Sequence, residues 1–331
     1  MEKKYDVVAL GELLIDFTEN GMSEQGNPIL EANPGGAPCN VLAMLTKLSH
    51  HTGFIGKVGA DQFGNQLEGA LLEVGIDTTG LLKDREVHTT LAFVHTAPDG
   101  DRDFSFYRNP GADMMLSEED VLSCKGLISD ARIFHFGTLS MTSEICRSAT
   151  KRAVAMAKDA GSVISFDPNL REPLWDSLDT AKEQVLYGLS NCDVLKISDN
   201  EIQWLTGEAD YDAGVSYIRD RYQIPLILVS LGKDGSIAYS ESNQVRVSPF
   251  LQKNTIETTG AGDTFCACIL HYVLEHGLKD YTEDELVEML TFANAGASII
   301  TTRKGALRVM PEKTEIEALI NNRRNGNELK K

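Results

Sequence analysis

The sequence lacks the features of membrane-embedded and secreted proteins. No apolar run in its 331 residues is long enough to span a bilayer, which needs about 20 consecutive apolar residues. The charged N-terminal residues lead straight into a predicted strand, without the hydrophobic core of a signal peptide. We therefore expect neither a membrane span nor a secretion signal.

Basic residues are also scarce. The chain has 31 Lys and Arg against 49 Asp and Glu, which gives a formal net charge of −18. Nucleic acids and anionic membranes bind basic protein surfaces, so this balance argues against both as partners. The charge does not identify a ligand.

Paired cysteines and metal-binding spacings are absent as well. The six cysteines contain no CxxC pair, and the seven histidines show no metal-ligand spacing, so we expect no zinc site. Scattered cysteines in apolar segments are typical of reduced, buried thiols in a cytoplasmic protein. The six are Cys39, Cys124, Cys146, Cys192, Cys266 and Cys268.

Neither of the two commonest phosphate-binding loops occurs. Gly11 after the first apolar run does not make the GxGxxG of a dinucleotide site, and no GxxxxGKS or GxxxxGKT is present. The chain has instead TTGAGDTF at residues 258–265, followed by an apolar run that predicts a buried helix. Small residues at a helix start let backbone N–H groups approach a ligand, and the helix dipole makes this end positive. The stretch therefore predicts an anion site suited to phosphate.

This predicted anion site contains an acidic residue. We expect the turn to cradle a transferring phosphoryl group, and Asp263 to accept the proton of the attacking alcohol. The turn consists of Gly260, Ala261 and Gly262. The positive end of a helix favours the charged form of a carboxyl, so Asp263 should be a weak base. The alternative is a plain glycine-rich loop in which this aspartate caps the helix.

A second group of candidates lies near the N-terminus. Gly35 and Gly36 let the backbone approach a ligand, and the amide of Asn40 can both donate to and accept from hydroxyls. Asp16 follows the first predicted strand, where its carboxylate could accept hydrogen bonds from two vicinal hydroxyls. This set suits a polyol better than an anion. The alternative is a glycine turn with polar residues at a helix N-terminus.

Predicted strands and helices alternate along most of the chain. Repeated strand–helix units with short connections predict a parallel sheet with helices on both faces, and ligands bind at the carboxyl ends of such strands. The predicted strands are 5–10, 54–59, 132–137, 162–167, 193–197 and 226–230, with a late hairpin at 237–239 and 244–247. The predicted helices are 41–48, 61–74, 143–160, 178–189, 200–206, 213–222, 262–276, 283–301 and 312–321.

The first third of the chain departs from this alternation. We expect residues 12–17 to continue the first strand and residues 18–33 to form a polar loop. A hairpin is predicted with strands at 89–94 and 104–107 and a turn signal at 98–101. This hairpin would be an antiparallel insertion that pairs with the early segment and covers a site.

Four ordered motifs carry a family resemblance. Residues 258–265, GGAPCNV at 35–41, FYRNPGAD at 106–113 and FDPNLR at 166–171 resemble the signatures of the ribokinase-like (PfkB) carbohydrate kinases. The resemblance covers nearly the whole chain. It implies that Asp263 is the catalytic base and that the preceding turn is the anion hole.

The resemblance also implies the architecture. The expected fold is α/β, with a doubly wound, mostly parallel sheet, helices on both faces and a small antiparallel β lid. Residues 1–331 would form a single ribokinase-like domain. Insertions at about 12–33 and 87–113 would form the lid.

The family signatures assign residues to the sugar. In the family the GGAPCNV positions hold the sugar, which implies sugar contacts for Gly35, Gly36 and Asn40. The carboxylate of Asp16 is expected to join them at the sugar. The arginine of the FYRN stretch faces the sugar in fructokinases, and here it is Arg108. Arg171 of FDPNLR could pair with phosphate or with bound sugar.

Further positions resemble the family's nucleotide and ion sites. Glu201 matches a glutamate that organises Mg²⁺ through water, although Ser198 stands where asparagine is expected. The implied nucleotide contacts are Ser230, Gly232, Gly235 and Asn294. The implied K⁺ site comprises Glu257, Thr259 and Gly305, with Glu257 in place of the usual Asp. The implied cofactors are therefore ATP and Mg²⁺, together with this K⁺ site.

The resulting prediction is an ATP-dependent sugar kinase that converts fructose to fructose 6-phosphate. A 2-keto-3-deoxygluconate kinase or another PfkB sugar kinase is the nearest alternative, because it shares the GGAP and DPN patterns. A non-catalytic sugar sensor on the same scaffold is the alternative from a different class. The exposed edge of the lid hairpin predicts a homodimer.

Overall fold

The computed structural model describes residues 3–96 and 102–328. Within these residues the strands are β1 Tyr5–Leu10, β2 Leu14–Met22, β3 Pro28–Gly35, β4 Thr52–Gly59, β5 Asp77–Asp84, β6 Leu91–Thr96, β7 Arg102–Tyr107, β8 Ala131–Gly137, β9 Val163–Asp167, β10 Val194–Ser198, β11 Leu226–Ser230, β12 Ser236–Tyr239 and β13 Gln244–Val247. The α-helices are α1 Ala37–Lys47, α2 Gln62–Val74, α3 Glu118–Ser123, α4 Lys125–Ser129, α5 Glu144–Asp159, α6 Leu178–Leu189, α7 Asp199–Thr206, α8 Tyr211–Tyr222, α9 Ala261–His276, α10 Glu283–Ile300 and α11 Lys313–Glu328.

A large sheet forms the centre of the molecule. Its nine strands in the described residues have the order β13-β12-β11-β10-β9-β8-β1-β4-β5. The pairs from β11 to β5 are parallel, and β12 and β13 add an antiparallel edge. The predicted doubly wound, mostly parallel sheet is therefore confirmed.

The first strand shows why helices cover both faces. Successive side chains of a strand point to opposite faces. Val7 and Ala9 belong to one buried cluster, which includes residues of α1, α9 and α10. Val8 and Leu10 belong to the other, which includes residues of α5, α6 and α8. A continuous apolar strand thus needs an apolar layer on each side.

A small sheet covers one end of the large one. Its order is β3-β2-β6-β7, with antiparallel pairs β3–β2 and β6–β7 and a parallel pair β2–β6. Phe17 of β2 stacks on Phe93 of β6 at 4.9 Å and meets Phe63 of α2 edge-on at 5.7 Å. These aromatic contacts fix the sheet to the helical layer. The predicted turn at 98–101 lies outside the described residues.

Two expectations for the N-terminal segment were wrong. Residues 12–17 do not continue the first strand, because the chain leaves the large sheet after Leu10 and enters the small sheet at Leu14. Residues 18–33 form most of β2 and β3, not a loop. Much of this hairpin is exposed, so it lacks the apolar alternation that marks a half-buried strand.

Other differences are local. Strand β5 was not predicted, and α1 begins at Ala37, earlier than expected. Helix α11 extends to Glu328, beyond the predicted end at residue 321. The described helices include none whose length and hydropathy would suit a membrane span.

Candidate active site

Helix α9 begins without a side-chain cap. Its N-cap residue is Gly260, whose φ of 76° is left-handed and which has no side-chain cap hydrogen bond. A Cβ at Gly260 would lie 2.8 Å from Ala306 Cβ, so close packing also requires glycine there. Asp61 and Ser143, in contrast, cap α2 and α5 with their side chains. The positive end of α9 is therefore left to a ligand.

This helix end opens into a cavity of about 330 Å³ beneath the small sheet. The cavity brings together candidates from opposite ends of the sequence, because the carboxyl ends of the parallel strands and the small sheet meet there. The predicted residues that line it are Asp16, Gly35, Gly36, Asn40, Arg171, Glu257, Thr259, Gly260, Gly262, Asp263 and Gly305.

Asp263 and Asn40 form the centre of this cavity. Asn40 Nδ2 donates to Asp263 Oδ2 at 2.8 Å, which ties α1 to α9 and orients the carboxylate. Asn40 Oδ1 is buried and finds no partner among the described residues. A buried amide oxygen without a donor is costly, so this atom fits a hydroxyl group of a ligand.

The expected charge behaviour of Asp263 was wrong in direction. Burial raises the pKa of Asp263, and the hydrogen bond from Asn40 and the charges of Lys196 and Arg171 offset this only in part. Desolvation therefore outweighs these favourable contacts of the carboxylate. Asp263 is a stronger base than its position at a helix N-terminus suggests.

Asp16 follows the first strand, as expected, and lies within β2. No described residue donates a hydrogen bond to its carboxylate, and burial raises the pKa of Asp16 to about 7. The nearby carboxylates of Glu257 and Asp263 raise it further, whereas Arg171 lowers it. Gly35 lies so close to Asp16 Oδ2 that a Cβ there would overlap it. The two carboxylate oxygens of Asp16 thus face the cavity beside Gly35.

Lys196 is a site residue that the motifs did not identify. Its Nζ lies 2.9 Å from Asp167 Oδ2, and it lines the cavity. Burial lowers the pKa of Lys196, but the carboxylates of Asp167 and Glu201 outweigh burial and raise it. A Cβ on Gly262 would be 3.3 Å from Nζ, so a fixed positive charge adjoins the start of α9.

Arg108 does not point into the cavity. Its guanidinium is buried and pairs with Asp113 at 2.7 Å. It also donates to Thr142 Oγ1 at 2.8 Å and to Leu139 O at 3.0 Å. In this arrangement Arg108 braces the turn after β7 and does not line the cavity, and its sugar contact stays a prediction.

Ser198 and Glu201 sit beside the cavity, at the carboxyl end of β10 and in the first turn of α7. Glu201 Oε2 accepts from Ser198 N and Oγ, each at 2.8 Å, in a capping box at the start of α7. Its Oε1 accepts from Leu170 N at 2.8 Å. Both residues line a second space of about 290 Å³, which shares Lys196 and Arg171 with the first.

The residues predicted to contact the nucleotide lie in three different parts of the fold. Ser230 pairs in register with Ser198, at the same sheet edge as Glu201. Gly232 and Gly235 form the tight turn into β12, with φ of 54° and 95°. Asn294 is engaged within the protein, because its Oδ1 accepts from Ser236 Oγ at 2.9 Å and its Nδ2 donates to Val247 O at 3.3 Å.

The loops predicted to hold K⁺ do meet. Gly305 N donates to Glu257 Oε1 at 2.7 Å, and Ile256 N donates to Thr301 O at 2.8 Å. Both loops, with Thr259, line the main cavity. Carbonyl and carboxylate oxygens of this kind suit a hard cation.

Residues 4–313 match the model of the family described as pfkB family carbohydrate kinase. The chain belongs to this family. It is 41% identical to Probable fructokinase-2 of Arabidopsis thaliana over 316 residues, which cover 95% of this chain and 94% of that protein.

Solved structures of pfkB fructokinases have the same fold. Fructokinase from Xylella fastidiosa with bound ATP is 30% identical, with a TM-score of 0.85 over 96% of this chain and 99% of that chain. A double mutant of fructokinase from Vibrio cholerae, with fructose, ADP and potassium ion bound, is 29% identical, with a TM-score of 0.85 over 97% of this chain and 100% of that one.

Two residues at the site of this pfkB kinase could have been found from the sequence without a motif, because each is a charged residue in an apolar stretch. Lys196 is a charged residue inside the apolar strand VLKIS, and Glu12 follows the first strand in an apolar stretch. Glu12 is buried and accepts from Ala37 N at 2.8 Å, which caps α1 from another segment. Burial raises the pKa of Glu12 to about 7. A charge in a buried run indicates a specific partner.

The raised pKa of Asp16 predicts a pH-dependent stability. The folded protein holds this proton up to about pH 7, whereas the unfolded chain releases it near pH 4. The folded state therefore binds more protons between these values, and stability falls as pH rises through them. Without sugar, Asp16→Asn should match the wild type at pH 4 and melt roughly 8–16 °C higher at pH 8, because about three pKa units correspond to ~4 kcal/mol and ~1 kcal/mol shifts the melting temperature of a large domain by about 2–4 °C.

Scanning calorimetry at several pH values measures this difference. Asp284→Asn, the same change at the exposed start of α10, serves as the control. A melting difference between Asp16→Asn and wild type that stays constant from pH 4 to pH 8 would show that Asp16 has an ordinary pKa.

Proposed function

We propose that the protein is an ATP-dependent fructokinase that transfers the γ-phosphoryl group to the 6-hydroxyl of fructose. The observation that carries the proposal is the uncapped start of α9 opening into the same cavity as Asp263, Asp16 and Asn40. One end of this cavity suits phosphate and the other suits a polyol. The relatives named fructokinase support fructose as that polyol.

In the proposed reaction each group has a defined task. Asp16 and Asn40 Oδ1 accept hydrogen bonds from sugar hydroxyls and turn the 6-hydroxyl toward Asp263. Asp263 takes the hydroxyl proton as the new O–P bond forms, the bond from the γ-phosphorus to its bridging oxygen breaks, and ADP leaves. Because phosphoryl transfer is largely dissociative, positioning and charge stabilisation contribute more than early proton removal.

Charge stabilisation comes from the chain itself. The first N–H groups of α9 and the ammonium of Lys196 lie on the phosphate side of the cavity. Fixed positive charges in a site that excludes water stabilise a developing negative charge more strongly than they would in bulk solvent. We propose that Lys196, held by Asp167, stabilises the charge on the migrating group.

The residues present fit a magnesium ion bound through water. Both Glu201 oxygens already accept hydrogen bonds from the protein, so Glu201 would orient metal-bound water and not replace it. Mg²⁺ usually keeps several waters and binds substrate phosphates. When bound, it neutralises phosphate charge. The meeting of Glu257, Thr259 and Gly305 fits K⁺ beside the anion hole.

The Glu201→Gln variant should distinguish the role of Glu201 as a helix cap from its proposed role in Mg²⁺ binding. Glutamine also completes a capping box, but its amide nitrogen cannot accept the hydrogen bond from Leu170 N, so the folded protein should melt a few degrees below wild type. The Mg²⁺ concentration for half-maximal activity should rise about tenfold or more, as for changes in the outer shell of metal sites. Activity measured against Mg²⁺ at fixed free ATP tests this.

Ser198→Ala provides the matched control. It removes the cap and keeps the carboxylate, so it should cost ~1 kcal/mol of stability without altering the Mg²⁺ requirement. If Glu201→Gln needs no more Mg²⁺ than the wild type, Glu201 is a helix cap only.

A panel of sugars with ATP, read by ADP release, tests the function. Fructose should be the best substrate, and fructose 6-phosphate the product. Preference for 2-keto-3-deoxygluconate would assign Arg171 to a carboxylate and replace the proposal. If the protein binds a sugar but releases ADP with none of the sugars in the panel, it is a sensor and not a kinase.

We also propose that the small sheet is a lid within a single domain. We further propose that two copies of the protein form a homodimer through this sheet. Its outer strands β3 and β7 are sheet edges, which can pair with another chain. Its exposed apolar side chains are Met22, Ile29, Leu30 and Tyr107. Light scattering should give twice the chain mass, and a monomer at working concentration would refute the dimer. Leu30→Lys should dissociate it, and Leu122→Lys on α3 should not.

A reducing compartment such as the cytoplasm suits this chain. The six cysteines are all free and buried. Buried, unpaired thiols are typical of proteins that function where glutathione keeps cysteines reduced.

A further inference from the structure

Three metal-ligating side chains meet far from the proposed active site. His50 Nε2 and His271 Nδ1 lie 2.7 Å apart. With the carboxylate of Glu275, their ligand atoms all fall within 4.8 Å of one another. The two histidines are 221 positions apart in sequence, so no spacing motif could reveal the group.

The fold positions this group firmly. His271 and Glu275 are four residues apart on α9, so both side chains lie on one face of the helix. His50 comes from the connection between α1 and β4. His271 lies about 12 Å along the same helix from Asp263, at 1.5 Å per residue, so the group is distinct from the proposed active site.

The two imidazoles are held in place by the fold. Both side chains are buried, and His50 Nε2 and His271 Nδ1 are hydrogen-bonded to each other. His50 Nδ1 faces Asp6 Oδ2 at 3.6 Å. A carboxylate behind an imidazole is the usual outer partner of a metal-bound histidine.

We propose that His50, His271 and Glu275 bind one divalent transition-metal ion of the Zn²⁺ type. Two imidazoles and one carboxylate favour Zn²⁺, Co²⁺ or Ni²⁺ over Mg²⁺. Glu275 is exposed, so water can reach the fourth position. This assignment departs from the expectation of no zinc site that histidine spacing gave.

Binding needs a small separation of the two rings and a closer approach of the exposed Glu275 side chain. Zn–N distances of about 2.0–2.1 Å in a tetrahedral site place the two nitrogens about 3.3 Å apart, against 2.7 Å here. The ion replaces the hydrogen bond between the rings. Each neutral ring then carries its proton on the nitrogen that does not bind the ion, which is Nδ1 of His50, toward Asp6, and Nε2 of His271. The ion would fasten the C-terminal half of α9 to the connection before β4.

Calorimetric titration of the metal-free full chain with Zn²⁺, in excess Mg²⁺, tests the proposal. Mg²⁺ competes at carboxylate-only sites, so one Zn²⁺ per chain should remain and should raise the melting temperature. His50→Gln, His271→Gln and Glu275→Gln should each weaken binding at least tenfold. His51→Gln, at the exposed neighbouring histidine, should bind as the wild type does.

Glu275→Gln keeps the test valid if the buried histidine variants fail to fold, because residue 275 is exposed. Co²⁺ in place of Zn²⁺ should give the visible absorption of a tetrahedral site in the wild type and not in this variant. Absence of a single Zn²⁺ site in the wild type, or unchanged affinity in Glu275→Gln, would overturn the proposal.

Discussion

Asp263→Asn should lower kcat by about 10³-fold while leaving the protein folded. Removal of a positioned general base typically costs 10²–10⁴-fold. The amide has the same shape as the carboxylate, and Asn40 Nδ2 can still donate to its oxygen. KM for ATP and for fructose should change little, because the carboxylate acts on the proton in flight and not on the bound ground state.

The measurement is steady-state kinetics with fructose and ATP, with melting temperature as the check on folding. Asp284→Asn makes the same chemical change at an exposed helix start and should keep full activity. Near-normal turnover of a folded Asp263→Asn protein would remove Asp263 from the mechanism and leave it as a helix-end residue.

Asp16→Asn should impair use of fructose about 10²-fold in kcat/KM, with KM for ATP changed less than about threefold. Each hydrogen bond to a charged acceptor contributes about 1.5–3 kcal/mol. Asp16 presents two oxygens to the cavity with no competing donor among the described residues. An amide retains one acceptor and adds a donor pair, so it cannot accept from two vicinal hydroxyls.

The pH profile sharpens this prediction. Asp16 has a pKa of about 7 in the free protein, and kcat/KM reports the free enzyme. The wild-type kcat/KM for fructose should therefore fall as pH drops below 7, because the protonated group loses an acceptor. Asp16→Asn should lack this fall. Equal losses for fructose and ATP would contradict a sugar-specific role.

The residues of the motifs were the most predictable part of the site. Gly260, Gly262 and Asp263 are neighbours in sequence, and a glycine turn before an apolar run gives nearly the same local structure in any context. The strand–helix alternation likewise predicted the parallel sheet, since buried parallel strands are continuous apolar runs. The exposed hairpin β2–β3 was missed because it has no such pattern.

Contacts between distant segments were not predictable. Arg108 lies in a motif that predicted a sugar contact, yet its guanidinium forms an ion pair with Asp113. Only the folded chain shows this pair. Lys196 matched no motif, yet it lies beside the start of α9. The same limit hid His50 and His271, which are far apart in sequence and hydrogen-bonded in space.

The sequence by itself determined the family, the layered α/β fold and the glycine turn with its aspartate. These depend on local patterns and on apolar periodicity. The tertiary structure decided the raised pKa of Glu12, Asp16 and Asp263, the partners of Arg108 and Lys196, and the identity of the groups that face the cavity. Burial sets the energy of a charge, and burial depends on which distant segments pack around it.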